Sequence, residues 1–207
     1  MKILSIVTCN NQIDTLPYTI EHYQRLGTDV VVVDHYSQDG SLEYLQRRKI
    51  PYTQHDPTLC MSELKKELLL ERGSHWILDV KADEFIVLPH TTLRELVQMA
   101  AEKGLNQLKC RQFNFYSTGE PQEKKHPKDQ FFYYVEDLAT KQVLHQESVE
   151  ARSCLIEAFN LNYQPAIQGE TKSELPLLDI RNLQLAFDFL VVKGDKNGKS
   201  EKNHSCQ

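Results

Sequence analysis

Asp29-Val30-Val31-Val32-Val33-Asp34-His35-Tyr36-Ser37-Gln38-Asp39-Gly40-Ser41 decides the fold of this chain. Four consecutive β-branched residues suit a strand and show no polar alternation. The strand is therefore expected to be buried on both faces, as in a parallel sheet covered by helices. The turn Ser37 to Ser41 then caps a short helix carrying Leu42 and Leu45. Before the stretch, Ile3 to Thr8 is an apolar run of strand type. Asp14 offers an N-cap to a helix whose Leu16, Ile20, Tyr23 and Leu26 recur at helical spacing, and Gly27 ends it. The opening is β-α-β.

After the stretch, Ile50 to Thr53 is expected to be a third strand, and Met61 to Arg72 a helix with Leu64, Leu68 and Leu69 inward and Gly73 as its stop. A fourth strand follows at His75 to Asp79, and Thr92-Leu93-Arg94-Glu95 is a capping box that opens another helix. This alternation argues an α/β fold with a mainly parallel sheet. The second half is less regular. Leu108 to Phe115 and Phe131 to Val135 read as strands, Gln142 to Leu144 and Leu190 to Lys193 carry fainter strand character, and the polar tail 194–207 is expected to be disordered. No repeat or linker divides the chain, so residues 1–193 are expected to form a single domain.

The totals narrow the function. A chain of 207 residues, 40% hydrophobic, is long enough to bury one core without metals or disulfides. A net charge of -5, with no long Lys/Arg block, disfavours nucleic acid as a partner. The five cysteines, Cys9, Cys60, Cys110, Cys154 and Cys206, are odd in number and lack metal-ligand spacing, which suits a reducing, cytoplasmic location. The apolar start is cut short by polar Thr8 to Asp14, so it reads as a strand and not a signal peptide. No run of about 18 apolar residues occurs, so no transmembrane segment is expected, and any membrane contact would be peripheral.

Ligand pockets on such sheets lie at the carboxyl ends of the strands. Three segments arrive there: Cys9-Asn10-Asn11, Asp34 with Ser37, Asp39 and Gly40, and Asp79 to Phe85. A carboxylate directly after a buried strand is costly unless paired, which makes Asp34 a candidate for ribose or base. The other open reading is that Asp34 and Asp39 only form an Asx turn. A dinucleotide site would need a glycine-rich turn after the first strand, and Cys9 to Thr15 contains no glycine.

These residues resemble the family 2-like glycosyltransferases of GT-A fold, over roughly Met1 to Gly119. The likeness is carried by Asn10-Asn11, Leu16-Pro17, Tyr23-Gln24-Arg25-Leu26-Gly27, Asp34-His35-Tyr36-Ser37-Gln38-Asp39-Gly40, Trp76 and Lys81-Ala82-Asp83-Glu84-Phe85, in that order. Arg111 to Gly119, with Phe113 and Phe115, resembles the strand and glycine turn that follow in this family. The resemblance implies a nucleotide-diphospho-sugar transferase, with residues 1–119 as the nucleotide-sugar half and 120–193 as the acceptor half. It places Asn10, Asn11, Asp34, Ser37 and Asp39 around the donor, and it makes Asp83 the ligand of a Mn²⁺ or Mg²⁺ ion on the diphosphate, chemistry that suits carboxylate and phosphate oxygens.

Two positions depart from the family pattern. Asn11 stands where Glu is usual, and Lys81 replaces the first Asp of Asp-x-Asp. If Asp79, Lys81 and Asp83 continued one strand, they would share a face, and Lys81 could pair with both carboxylates. Three readings of Lys81 follow: it contacts the diphosphate and partly replaces the metal, it marks loss of donor chemistry, or it points to solvent in an ordinary enzyme.

Glu136-Asp137, after the aromatic run Phe131 to Tyr134, is the acidic pair available as general base for an acceptor hydroxyl, with Asp137 preferred. The competing reading is a solvated pair at a strand end. No histidine spacing matches a zinc site. His126 and His145 could face an acceptor or be ordinary surface imidazoles, Tyr116 and Tyr133 could stack on a sugar, and Trp76 is expected in the core. The expected function is transfer of a sugar from a nucleotide diphosphate donor to an acceptor hydroxyl in polysaccharide or glycan synthesis. The rival is an inactive module of the same fold that binds a nucleotide or a protein.

Overall fold

The computed structural model describes residues 2–88, 91–116, 133–146, 153–164 and 178–179. The first half runs β1 (Ile3–Cys9), α1 (Leu16–Arg25), β2 (Asp29–Asp34), α2 (Ser41–Arg48), β3 (Tyr52–Gln54), α3 (Met61–Arg72) and β4 (Trp76–Lys81). There follow β5 (Glu84–Val87), α4 (Leu93–Glu102), β6 (Gln107–Tyr116), β7 (Tyr133–His145), β8 (Ser153–Gln164) and β9 (Leu178–Asp179). Among the described residues the strands form one sheet in the order β3-β2-β1-β4-β7-β6-β8-β5, with β9 on β7.

The valine run behaves as its composition requires. Val30 to Val33 of β2 are all buried, hydrogen-bonded between β1 and β3 in parallel. Full burial of one such side chain is worth about 1.5–3 kcal/mol. β1 also pairs in parallel with β4, so four parallel strands, β3-β2-β1-β4, form the centre of the architecture, with helices on both faces.

The connections decide which helix covers which face. The chain steps from β1 to β2 to β3 in one direction and then returns past β1 to β4, so right-handed crossovers put α1 and α2 on one side and α3 on the other. Val7, Val30, Val32, Trp76, Leu78 and Val80 accordingly pack with Leu16, Ile20 and Tyr23 of α1, Leu45 of α2 and Leu96 of α4. Leu4, Ile6, Val31, Val33 and Ile77 meet Leu68 and Leu69 of α3 on the opposite face. The reversal of strand order between β1 and β4 is the place where open α/β sheets bind ligands, outside the carboxyl ends.

Several boundaries differ from expectation. The N-cap of α1 is Thr15 and not Asp14, with Pro17 in the first turn, because Gln12 O accepts the amides of Thr15 and Leu16 and tightens the entry. The fourth strand runs to Lys81, two residues past Asp79, because its pairing with β1 holds as far as Thr8. The expected strands ending at Val135 and at Leu144 are parts of one strand, Tyr133–His145, held along its length by β6, while Phe131 lies outside the described residues. The expected α3, its Gly73 stop at φ 59°, and the Thr92/Glu95 capping box are all present. Leu190–Lys193, the tail 194–207, Gly119 and His126 lie outside the described residues.

Candidate functional site

Strand register lines up the carboxyl edge. Cys9 stands opposite Asp34 on one side, and Thr8 opposite Lys81 on the other, so the loops after β1, β2 and β4 leave the sheet side by side. His35 N–H donates to Cys9 O at 2.8 Å, and Ala82 N–H to Thr8 O at 2.9 Å, extending the ladder by one step on each flank.

Side chains then fasten the first two loops together. Asn11 adopts φ 52°, a left-handed conformation that asparagine tolerates better than most residues. Its N–H donates to Ser37 Oγ at 2.9 Å, and its side-chain oxygen accepts Gln38 N–H at 2.7 Å. Its amide nitrogen donates to Asn10 Oδ1 at 3.0 Å. A glutamate at this position would lack the amide donor that Asn11 gives Asn10. Asp39 accepts Ile13 N–H at 2.8 Å on one oxygen, and the Ser41 N–H and hydroxyl on the other.

Asp34 is completely buried. Its carboxylate accepts Ser37 N–H at 3.1 Å and the Gln54 amide at 3.4 Å, so the chain supplies partners for a group that would otherwise be costly to bury. The Asx-type bonding expected of Asp34 and Asp39 is thus present in both. Beside Asp34, burial pushes the Cys9 thiol up, against hydrogen bonds from Ser41 and Ser37 and with the charge of Asp34 adding to the rise.

Asp39 shows the opposite balance. Burial alone would raise its carboxyl, but hydrogen bonds from the Ser41 hydroxyl, Ile13 N–H and Ser41 N–H outweigh burial and hold it below the usual range. Its folded value lies below its unfolded one, so it stabilises the fold above the unfolded value of about 3.9, and this contribution is lost as pH falls through the folded value. Asp39→Ala is expected to cost about 1–2 kcal/mol in urea unfolding at neutral pH, with the gap from the parent closing in acid. A constant gap down to the acid limit would exclude this role.

The third segment is a turn. Lys81 N–H donates to Glu84 Oε2 at 2.9 Å, which folds Ala82-Asp83 back over a glutamate only 2% exposed. Helix α1 holds the turn from below: the Thr19 hydroxyl donates to Ala82 O, and the Tyr23 hydroxyl donates to Glu84 O at 2.9 Å and accepts Ile86 N–H at 3.2 Å. His22 Nε2 lies 2.8 Å from Ile86 O. The expectation that Asp79, Lys81 and Asp83 share one face is therefore corrected, because the strand stops at Lys81 and Asp83 sits half-buried in the turn. Lys81 pairs with neither aspartate: Asp79 is held by Lys65 of α3.

The structure thus brings Asn10, Asn11, Asp34, Ser37 and Asp39 into one network and sets Lys81 and Asp83 one strand away. Glu136 and Asp137 lie within β7, opposite Phe113 and Gln112, and not at a strand end. Because β7 runs antiparallel to β4 through Ile77↔His145 and Leu78↔Leu144, its path from His145 toward Asp137 leads past the carboxyl end of β4. The register between β6 and β7 jumps from Arg111↔Thr140 to Gln112↔Asp137, a bulge of the kind that re-aims side chains. Tyr133 lies at the far end of β7 and Tyr116 ends β6, while His145 is buried where β7 meets β4. Trp76 is in the core, as expected.

Sequence reasoning gave no role to Thr19 or Lys65, whose contacts span 63 and 14 positions, and it named Tyr23 and Glu84 without the hydrogen bond that joins them across 61. It also passed over Tyr36, an aromatic residue 54% exposed at φ 55° beside Asp34. A bulky side chain held in that conformation was the signal structure alone could reveal.

Among the described residues, no group of three or more His, Cys, Asp or Glu side chains is arranged to hold a metal ion by itself. Asp79 is engaged by Lys65 and Glu84 by the Lys81 amide, and Asp83 stands half-buried in the turn between Ala82 and Glu84. Mg²⁺ characteristically takes one or two carboxylates together with substrate phosphates. A cation at this turn would therefore need oxygens from a bound ligand besides any carboxylate of the chain.

Fold and edge together define an α/β protein whose ligand-type loops gather at the reversal of strand order. No protein-family model matches the chain, and no curated protein does. Among solved structures it is similar to S. aureus TarS 1-349, with 19% identity and a TM-score of 0.43 over 59% of this chain and 39% of that one. The same protein in complex with UDP gives 20% identity and 0.42, over 59% and 38%. A CMP:2-keto-3-deoxy-manno-octonic acid synthetase complexed with CTP gives 9% identity and 0.41, over 93% and 99%. The match spans about two fifths of the TarS structures' own length. Among the described residues no helix is long and apolar enough to cross a membrane.

Proposed function

We propose that this chain transfers a sugar from a nucleotide diphosphate donor to an acceptor hydroxyl. The observation that carries the reading is the row formed by Asp34, Cys9 and the Lys81–Glu84 turn at the carboxyl edge, with the loops of β1 and β2 fastened across it. The nucleoside lies against Asn10 and Asn11, with Asp34 beneath Gln54 as the floor, and Tyr36 offers a face for stacking. The diphosphate extends toward Lys81 and Asp83. Asp83 would hold a Mn²⁺ or Mg²⁺ ion, which when bound neutralises charge on the departing diphosphate. The acceptor oxygen attacks the anomeric carbon, its proton passes to Asp137 or Glu136, and the bond to the diphosphate oxygen breaks. A glycan or another hydroxyl compound is the acceptor, and polysaccharide synthesis is the setting that fits.

Calorimetric titration with UDP- and GDP-sugars, with and without Mn²⁺, followed by a donor-hydrolysis assay, tests the reading. Binding with turnover supports it, and absence of binding by every donor removes it. Lys81 favours a second reading, an inactive module that keeps the pocket, for which binding without turnover would be the signature. Lys81→Asp restores an acidic residue beside Asp83 and is expected to increase dependence on Mn²⁺ by about tenfold or more in the ratio of affinities with and without metal. Equal metal dependence in variant and parent would take Lys81 out of diphosphate binding.

A further inference from the structure

We propose that Thr19 of α1 is a positioning residue for the reaction: its hydroxyl sets the Ala82–Asp83 peptide and, through it, the reach of Asp83 toward the donor. The proposal rests on the nucleotide-sugar reading above, in which Asp83 faces the departing diphosphate. It gives a role in turnover to a helix side chain that is completely buried and carries no charge.

A threonine inside a helix ordinarily spends its hydroxyl on the carbonyl four residues back. Thr19 Oγ1 does lie 3.1 Å from Thr15 O, but that carbonyl already accepts the amides of Tyr18 and Thr19, both at 3.0 Å. The closer acceptor is Ala82 O, 63 positions away along the chain. A hydroxyl has one proton to give, and here it goes to the carbonyl of the turn. Thr19 and Ala82 are both completely buried, so water offers neither of them a substitute partner.

Ala82 is gripped at both of its backbone polar groups. Its N–H donates to Thr8 O at 2.9 Å, at the end of β1, and its carbonyl accepts the Thr19 hydroxyl. The two peptide planes that meet at Ala82 are thereby fixed, and the second of them carries the nitrogen of Asp83. On the far side of Asp83, Glu84 O accepts the Tyr23 hydroxyl at 2.9 Å. Thr19 and Tyr23 are four positions apart on one face of α1, so a single helix face sets the residues on both sides of Asp83. The two hydroxyls govern different things. Tyr23 also accepts Ile86 N–H and so serves β5, whereas Thr19 reaches the peptide that leads into Asp83. A displacement of about 1 Å in a group that acts on the transition state can cost about 100-fold in rate. Nucleoside binding against Asn10, Asn11 and Asp34 would not register it.

The test is steady-state kinetics of donor hydrolysis or transfer on the full chain, with a uridine titration beside it. Thr19→Val keeps the branched shape without the hydroxyl and is expected to lower kcat about tenfold, with donor KM and uridine affinity within about twofold of the parent. Thr19→Ser restores the hydroxyl and should return most of the lost rate. In an Asp83→Asn background Thr19→Val should lower kcat no further, because the two residues act as one unit. An equal loss in both backgrounds, a serine variant as slow as the valine variant, or a loss carried by uridine affinity overturns the proposal. If Thr19→Val does not fold, Thr19→Cys, which keeps the volume with a weaker donor, runs the same cycle under the same criteria. A parent that turns over no donor removes the nucleotide-sugar reading, and amide exchange at Lys81, whose N–H bonds Glu84 within the turn, then decides the placement. Exchange about tenfold faster in Thr19→Val and restored in Thr19→Ser upholds Thr19 as the residue that sets the turn, and unchanged exchange overturns it.

Discussion

Asp83→Asn is expected to reduce donor turnover by about 100-fold or more, while uridine binds as before. The turn gives the reason. Helix α1 fixes Ala82 and Glu84 through the Thr19 and Tyr23 hydroxyls, so Asp83 has a set position between them. Glu84 accepts the Lys81 amide and Asp79 is engaged by Lys65, so neither replaces the lost charge without dismantling a contact of its own. A group that stabilises charge developing on a leaving group is worth about 3 kcal/mol, or roughly two orders of magnitude in rate. The check is kcat/KM for donor hydrolysis or transfer across a Mn²⁺ series, beside a uridine titration. Unchanged turnover would show that the carboxylate does not act on the diphosphate, and a matching loss of uridine binding would show that the pocket itself had collapsed.

Tyr23→Phe is expected to cost about 2–4 kcal/mol of stability, although it removes one oxygen atom. That oxygen donates to Glu84 O and accepts Ile86 N–H inside the core, where withdrawing a partner from buried backbone groups exposes their desolvation cost. Burial, with the charge of Glu84 adding to it, raises the phenol well above its ordinary range, so the hydroxyl keeps its proton and remains a donor. Urea unfolding measures the cost, and amide exchange at Ile86 should quicken at the same time. A change below about 0.5 kcal/mol would mean that the hydroxyl bridge contributes nothing beyond packing.

The central sheet was legible because each of its strands carries its own signal. Val30–Val33 has no polar position to expose, and the helices beside it repeat their apolar residues at helical spacing and stop at Gly27 and Gly73, both at positive φ. The second half lacked such marks. Tyr133–His145 is one long strand whose Glu136-Asp137 and Lys141 break any apolar pattern, and its identity comes from pairing with β6. Likewise, β5 is four residues long and is defined by its partner β8, almost eighty positions away.

At the site, residue types were readable and their engagements were not. Asn11, Ser37 and Asp39 could be selected because short polar side chains after buried strands have few other uses. Their partners followed from loop geometry: Asn11 bonds Ser37 and Gln38, and Asp39 reaches Ile13. Asp34 was readable as a carboxylate needing partners, and one of them, Ser37 N–H, is local, but the other, Gln54, comes from the next strand over.

The sequence by itself determined the parallel core, the loops at its carboxyl edge and the place of the Lys81–Phe85 segment, because hydrophobic run, helical period and turn chemistry are local properties. Tertiary structure alone decided how the charges in that segment are spent. An ion pair forms with whichever group the fold brings near, and here α3 brings Lys65 to Asp79, α1 holds Ala82 and Glu84, and the strand ends at Lys81. Lys81 is therefore left at the edge with Asp83 in the turn beside it, an arrangement that no reading of their spacing along the chain could distinguish from a shared pair.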